Sequence, residues 1–383
     1  MRVLIAIDSF KGSCSAPEAA QAVSRGVRSV FPRAETVLLP VADGGEGTVD
    51  ALVTIFRGEK RAVTVHDPLG RPITAEYGVL DAETAVVETA AASGLPLLKA
   101  EERDAVGATT YGTGELIRHA LEHGAKKIVL GLGGSATTDG GMGLAQALGV
   151  SFQDGAGREL GRGGGELARL ARIETAGLMP EARACRFTLA CDVKNKLCGE
   201  QGAAAVFGPQ KGATPQQVRT LDDALAHYAG VLKSQLDCAA AETEGAGAAG
   251  GITCSMLAFF HTQLRSGIDL VLDLAGFDAL VKTADLVITG EGRIDAQSAF
   301  GKVPAGVAAR TKAVRDVPVL AIGGALGDGA EALYGCGVAG VMSAVSRITT
   351  LEAAMAGAAP ALEESTSRMM RVLKAGMSMG TTA

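Results

Sequence analysis

The chain has 383 residues, 47% of them hydrophobic and only 4% aromatic, enough for two aliphatic, Ala/Gly-packed cores. Its 36 Lys and Arg against 42 Asp and Glu leave a net charge of −6, with no basic cluster, which argues against nucleic acid or an anionic membrane as partner. The 52 glycines have no three-residue period, so a collagen-like chain is excluded, and the 7 cysteines form no C-x-x-C pair.

The first apolar run, "RVLIAI", reads as a short buried parallel strand ending at Asp8. After "DSFKGS", Ser15-Ala-Pro-Glu18 forms a capping box with proline in the first turn, opening a helix to about Val30. "ETVLLP" is the second strand, followed by the loop "VADGGEGT" and another helix. "AVTVHDPLGRPITAEYGVL" then reads as two strands joined by a turn at Asp67-Pro68-Leu69-Gly70, where an antiparallel pair interrupts the parallel pattern.

Further along come a helix from about Gly112 to His123, the strand "KKIVLGL", the strand "RFTLACDV" and an amphipathic helix from Pro215 to Leu236. From Asp285 the first style returns in "DLVITGEGR", "VPVLAIGG" and "GVAGVMSAV". The expected fold is α/β. A doubly wound Rossmann-like domain takes residues 1–65 and 285–383, and a second α/β domain with a mixed sheet, 66–284, is inserted into it. The small-residue run "AAAETEGAGAAGG" is the best loop or linker candidate. Five apolar residues between Arg2 and Asp8 are too few for a signal sequence, and no run reaches the ~18 apolar residues of a membrane helix, so a cytoplasmic location is expected.

Open α/β sheets bind ligands at the carboxyl ends of their strands. Four stretches expected there share one chemistry: "DSFKGS", "ADGGEGT", "GGSATTDGG" and "TGEGRIDAQSAFGK". Each combines glycines, an acidic residue and hydroxyls, and two add a lysine. A single such loop is as well explained by a capped turn; four together suit magnesium phosphate chemistry. There, glycines admit anionic oxygens, carboxylates hold Mg²⁺, and Lys or Arg neutralises charge on the transferred phosphoryl group. Asp8, Asp43, Asp139, Asp192 and Asp295 are the carboxylates so placed.

Other chemistries fail on their motifs. No Walker loop occurs, since Gly301-Lys302 lacks the following hydroxyl. The G-x-G-x-x-G matches at 245–250 and 335–340 do not follow a strand. "HALEH", with His119 and His123, lacks the catalytic glutamate beside its first His and reads better as a solvated helix face than as a zinc site. Cys185, Cys191 and Cys198 read as small buried hydrophobes.

Taken together, "DSFKGS.SAPEAA", "PVADGGEGT", "GLGGSATTDGG", "ACDVKN", "GAAAVFGPQKGAT", "GAAGG" and "DLVITGEGRIDAQSAFGK" resemble the glycerate kinase family of the bacterial glycerate 2-kinase type. They run in family order from residue 8 to about 305, and "GPQKGA" with "TGEGRID" is very specific. Thr138, Lys196 and Cys14 depart from the family's usual residues without removing a charged or glycine position. The resemblance implies ATP- and Mg²⁺-dependent phosphorylation of D-glycerate on a non-Walker, two-domain α/β fold, with 2-phosphoglycerate favoured over 3-phosphoglycerate. Its partners would be small molecules only; a homodimer is compatible with it.

Carried onto this chain, the resemblance makes Asp192, Asp295 and Lys11 the catalytic candidates. Asp8, Ser9, Lys11 and Arg293 would bind glycerate. Gly44, Gly45, Gly133, Gly134, Ser135, Thr137, Lys211 and Lys302 would hold nucleotide phosphates, and Asp43 and Asp139 the metal. Because these residues are divided between the two expected domains, the site is expected in the cleft between them. A nicotinamide-dependent hydroxy-acid dehydrogenase and a non-catalytic organic-acid-binding protein are the rival readings. The first lacks its fingerprint after a strand; the second would not need so many carboxylates facing an anion.

Overall fold

The structure is a computed structural model, and it describes residues 1–299 and 301–380. Its strands are β1 (Arg2–Ile7), β2 (Glu35–Pro40), β3 (Glu59–His66), β4 (Pro72–Val79) and β5 (Thr84–Glu88). They continue with β6 (Lys127–Gly131), β7 (Ser151–Gln153), β8 (Arg172–Glu174) and β9 (Arg186–Ala190). The last are β10 (His261–Arg265), β11 (Leu286–Ile294), β12 (Val319–Leu326) and β13 (Gly340–Ser343). Phe300, within one expected site loop, and residues 381–383 lie outside the described residues.

Two compact units emerge. The first comprises Met1–Asp43, Asp50–Ile55 and Ile268–Ala383; the second comprises Gly44–Val49 and Phe56–Gly267. The expected exchange points near 65 and 284 fall elsewhere, for a physical reason: β3 is hydrogen-bonded along its whole length to β4, in the second unit's sheet. The run "AAAETEGAGAAGG" is a loop of turns and short 3-10 pieces within the second unit, not a linker between units. Ala246, Ala248 and Gly250 are buried, and the Gly140 amide donates to Gly250 O at 3.0 Å.

In the first unit five parallel strands are ordered β13-β12-β11-β1-β2. β1 is central, and both its faces are buried, Val3, Ile5 and Ile7 as well as Leu4 and Ala6, which is why it reads as a continuous apolar run. On one face Val3, Ile5 and Ile7 pack with Val23 and Val27 of the helix Ala16–Val30 and with Leu362 and Met370 of the helix Ala358–Gly380. The first helix starts at the capping box: the Ser15 amide donates to Glu18 Oε2 at 2.9 Å, and Ser15 Oγ accepts from the Glu18 amide at 3.4 Å. The run "DLVITGEGR" is strand, as its apolar pattern predicts, and the expected strand-end loop starts later than "TGEGR": β11 runs to Ile294 and pairs with β12 as far as Leu326.

The second unit's sheet is mixed, ordered β10-β9-β6-β5-β4-β3, with β3, β4 and β5 antiparallel and β5, β6, β9 and β10 parallel. β5, β10 and the small β7–β8 pair carried too little alternation or length to be read from sequence. The β3–β4 turn closes on buried Asp67, whose Oδ1 accepts from the amides of Leu69 (2.9 Å) and Arg71 (2.8 Å), with Gly70 at φ +81°. The long helix Pro215–Leu236 lays Leu225 and Tyr228 on the core with Leu130 and Leu189.

The two helices over β1 approach closely only because Gly26 has no side chain. A Cβ there would lie 2.5 Å from Glu363 O and 2.6 Å from Thr366 Cβ. Gly26→Ala is therefore expected to destabilise the protein by about 1–3 kcal/mol through overpacking, read as a lower urea midpoint; an unchanged midpoint would mean that the helices part without cost.

Candidate active site

At the carboxyl ends of β1, β11, β12 and β13 the first unit opens a cavity of about 360 Å³. Its charged end is lined by Asp8, Lys11, Asp43, Glu291, Arg293 and Lys302. Asp8 directly follows β1 and is 4% exposed; its Oδ1 accepts from the Ser9 amide at 2.6 Å. Burial, and next the negative charge of Asp43, push the Asp8 carboxyl up to about 8, against the Ser9 amide and the Lys11 charge.

Glu291 is not among the expected site residues, although its neighbours Arg293 and Asp295 are. It projects from β11 at 7% exposure, burial raises its carboxyl above the ordinary range, and Lys302 Nζ stands 3.7 Å from its Oε2. Among the described residues its Oε1 and the Ser9 Oγ are buried atoms with no hydrogen-bond partner, although both residues line the cavity. Such atoms are costly unless something binds them. The usable signal was period-two alternation: once "TGEGRI" is strand, Glu291 and Arg293 share a face.

The structure thus gathers Asp8, Ser9, Lys11, Asp43, Arg293 and Lys302 around one cavity and adds Glu291 to them. Asp295 is not among the lining residues. Its Oδ1 accepts from the Gln297 amide at 3.0 Å and its Oδ2 lies 3.3 Å from Arg293 Nε, so it caps a turn and orients that arginine. Asp192, in the second unit, follows β9 and accepts at Oδ1 from the Gly267 amide at 2.9 Å.

The remaining candidates are internal to the second unit, and two readings need correcting. Asp139, expected to bind metal, is fully buried. Its Oδ2 accepts from the Thr110 amide (2.8 Å) and hydroxyl (2.9 Å), the Thr109 hydroxyl (3.3 Å) and the Gly143 amide (3.3 Å). Its Oδ1 accepts from the Gly141 amide at 3.1 Å, so the carboxylate organises its loop and has little left for a metal. Lys211, expected on phosphate, is 2% exposed and donates instead to Ser135 Oγ at 3.0 Å and to Thr137 O at 2.5 Å.

The glycines of that loop serve close backbone packing. A Cβ on Gly133 would lie 2.6 Å from Gly45 Cα, and one on Gly44 would lie 2.7 Å from Ala190 Cβ. Gly134 adopts φ +76° and its carbonyl accepts from the Leu95 amide at 2.8 Å. His119 and His123 stack ring on ring at 4.0 Å, and His119 meets the Tyr77 hydroxyl at 3.1 Å, a packed pair and not a zinc site.

Burial lowers Lys211 from an ordinary 10.5 to about 7. Between these values the unfolded chain binds a proton that the folded chain does not, so this group makes stability rise with pH. From pH 7 to 8.5, wild type is expected to gain stability relative to Lys211→Met by roughly 1 kcal/mol per pH unit, measured by urea unfolding. Parallel pH profiles for the two proteins would show that Lys211 stays charged inside the fold.

The model of the glycerate kinase family matches residues 3–374 of this chain. A glycerate kinase of Halalkalibacterium halodurans is 48% identical, across 92% of this chain and 93% of that protein. A glycerate kinase of Bacillus subtilis is 47% identical across 99% of both, and a glycerate 2-kinase of Escherichia coli is 47% identical across 94% of both. A crystal structure of a candidate glycerate kinase 2 from Salmonella typhimurium LT2 superposes with a TM-score of 0.88 at 45% identity, covering 99% of each chain. No helix among the described residues is long and apolar enough to cross a membrane. With its match spanning nearly all its length, the chain belongs to the glycerate kinase family.

Proposed function

We propose that this protein transfers the γ-phosphoryl group of ATP to the C2 hydroxyl of D-glycerate, with the charged end of the first unit's cavity as the reacting centre. Family membership supports the reaction class, and the E. coli relative's name, glycerate 2-kinase, supports the C2 hydroxyl. The observation that carries the placement is the meeting of carboxylates and cations on Asp8, Asp43, Glu291, Lys11, Arg293 and Lys302 at strand carboxyl ends.

Lys11 and Arg293, with the Ser9 hydroxyl, hold the glycerate carboxylate by charge-assisted hydrogen bonds. That grip keeps the hydroxyl on the adjoining carbon closer to the anchor than the terminal one. Asp8, one oxygen tied to the Ser9 amide, offers the other to the acceptor hydroxyl and, in its ionised form, takes its proton. Lys302 faces the transferred phosphoryl group and stabilises the charge that develops there.

Mg²⁺ is normally held by one or two carboxylates together with substrate phosphates, not by an all-protein cage. Asp43 and Glu291 fit that role, the latter with its buried, unpartnered Oε1. Among the described residues no three His, Cys, Asp or Glu stand close enough to hold a metal alone. When bound, the ion would draw negative charge from the phosphate oxygens.

Glycerate-dependent ADP release by dialysed protein, with ³¹P NMR of the product, tests the reaction and the hydroxyl; no ADP release, or 3-phosphoglycerate as product, would overturn the corresponding part. Lys11→Ala is expected to lower kcat/KM for glycerate by ~100-fold while the protein stays folded; unchanged kinetics would remove this lysine from the site. Glu291→Gln is expected to raise the Mg²⁺ concentration for half-maximal rate by roughly tenfold, and a rate loss that no Mg²⁺ concentration restores would assign Glu291 another role.

A further inference from the structure

The charged residues line only part of the 360 Å³ cavity. Much of the rest, at the ends of β12 and β13 and on the helix that follows, is walled by Ala325, Ala344, Val345, Leu351, Ala354 and Met355. None of these side chains offers a hydrogen-bond donor or a strong acceptor. D-glycerate carries oxygen on each of its three carbons and has no face that would gain from such a wall. A cavity of this volume is the size that takes drug-sized ligands, about 300–1,000 Å³.

We propose that the apolar end of this cavity is the seat of the nucleotide's purine base, continuous with the phosphate chemistry at its charged end. This rests on the reading of the chain as an ATP-dependent kinase. Of the groups that reaction brings together, only the base is broad, flat and weakly hydrated, so only the base gains from apolar contact.

The two ends of the cavity are built as one piece. Gly12, in the loop that carries Lys11, has φ +74°, and a Cβ on it would lie 2.9 Å from Met355 Cε. The Met355 thioether therefore packs directly on the charged loop, and thioether contacts with aromatic faces are favourable. Leu351 opens the short helix Leu351–Ala356, which the Thr350 hydroxyl caps by accepting from the Ala353 amide at 3.2 Å. Its side chain lines the cavity at 77% exposure, apolar surface left in water that a base would cover. Ala354 and Ala325 line the cavity with small side chains, which take up little of its volume.

Isothermal titration calorimetry of ATP and of inorganic tripolyphosphate, each with Mg²⁺ and without glycerate, tests the assignment. Wild type is expected to bind ATP at least ~10-fold more tightly than tripolyphosphate. Ala354→Phe, which adds bulk to the apolar end from a partly exposed helix, is expected to weaken ATP by ~10-fold or more and leave tripolyphosphate unchanged. Leu351→Ser, at a position too exposed to endanger folding, is expected to weaken ATP by roughly threefold.

ATP affinity unchanged in both variants would overturn the assignment. So would a rise in KM for glycerate with ATP binding intact, which would make the apolar end a wall for the acid. Because binding is read without glycerate, a wild type that binds ATP as expected yet fails to phosphorylate glycerate would overturn the acceptor alone.

Discussion

The parallel pairing of β1 with β11 is the contact on which the candidate site depends. It aligns Val3, Leu4 and Ile5 with Leu286, Val287 and Ile288, and it ends with the Asp8 amide donating to Gly290 O at 3.0 Å. That last bond puts Asp8 beside Glu291, across some 280 residues of intervening chain. Closing so long a loop costs only a little more entropy than closing a shorter one, because the cost grows with the logarithm of length. Burial of β1 on both faces outweighs it.

Bringing carboxylates together at a buried strand end works against stability. Asp8 is desolvated and stands near Asp43 and Glu291, and its carboxyl is held toward the neutral form in consequence. The cations at the same end are more exposed: the Arg293 side chain is 71% exposed and that of Lys302 is 32%. They relieve the repulsion only in part. A site left so unsatisfied, with Glu291 Oε1 and Ser9 Oγ unpartnered among the described residues, gains most when a hard cation and phosphate oxygens fill it. Unfavourable electrostatics in the empty protein and preorganisation for a charged substrate are here two aspects of one arrangement.

The glycine-rich loop after β6 shows the opposite economy. Its charges are spent inward: Asp139 on the Thr109–Thr110 turn and the following helix, Lys211 on Ser135 and Thr137. Glycine-rich loops are read as phosphate cradles because their amides can approach oxygen closely. The same absence of a Cβ also lets two backbones touch, as Gly133 and Gly45 do. Composition does not separate these uses, since both require glycine at the same place.

Much of the architecture was legible locally. The Ser15–Glu18 capping box, the Asp67–Gly70 turn, the apolar runs of β1 and β11 and the helix Pro215–Leu236 each rest on neighbours within a few residues, so sequence by itself determined them. The same holds for Asp8, Lys11, Asp43, Arg293 and Lys302 as candidates, because a charged residue among glycines at a strand end has few other uses. Which carboxylates face the cavity was decided by tertiary structure alone. Glu291 enters it because β11 continues as strand beside β12, and Asp139 is lost to it because Thr109 and Thr110, some thirty positions away, bury and occupy its Oδ2 while Gly141 takes its Oδ1. Hydrogen-bond satisfaction and burial depend on partners distant in the chain, and no local pattern records them.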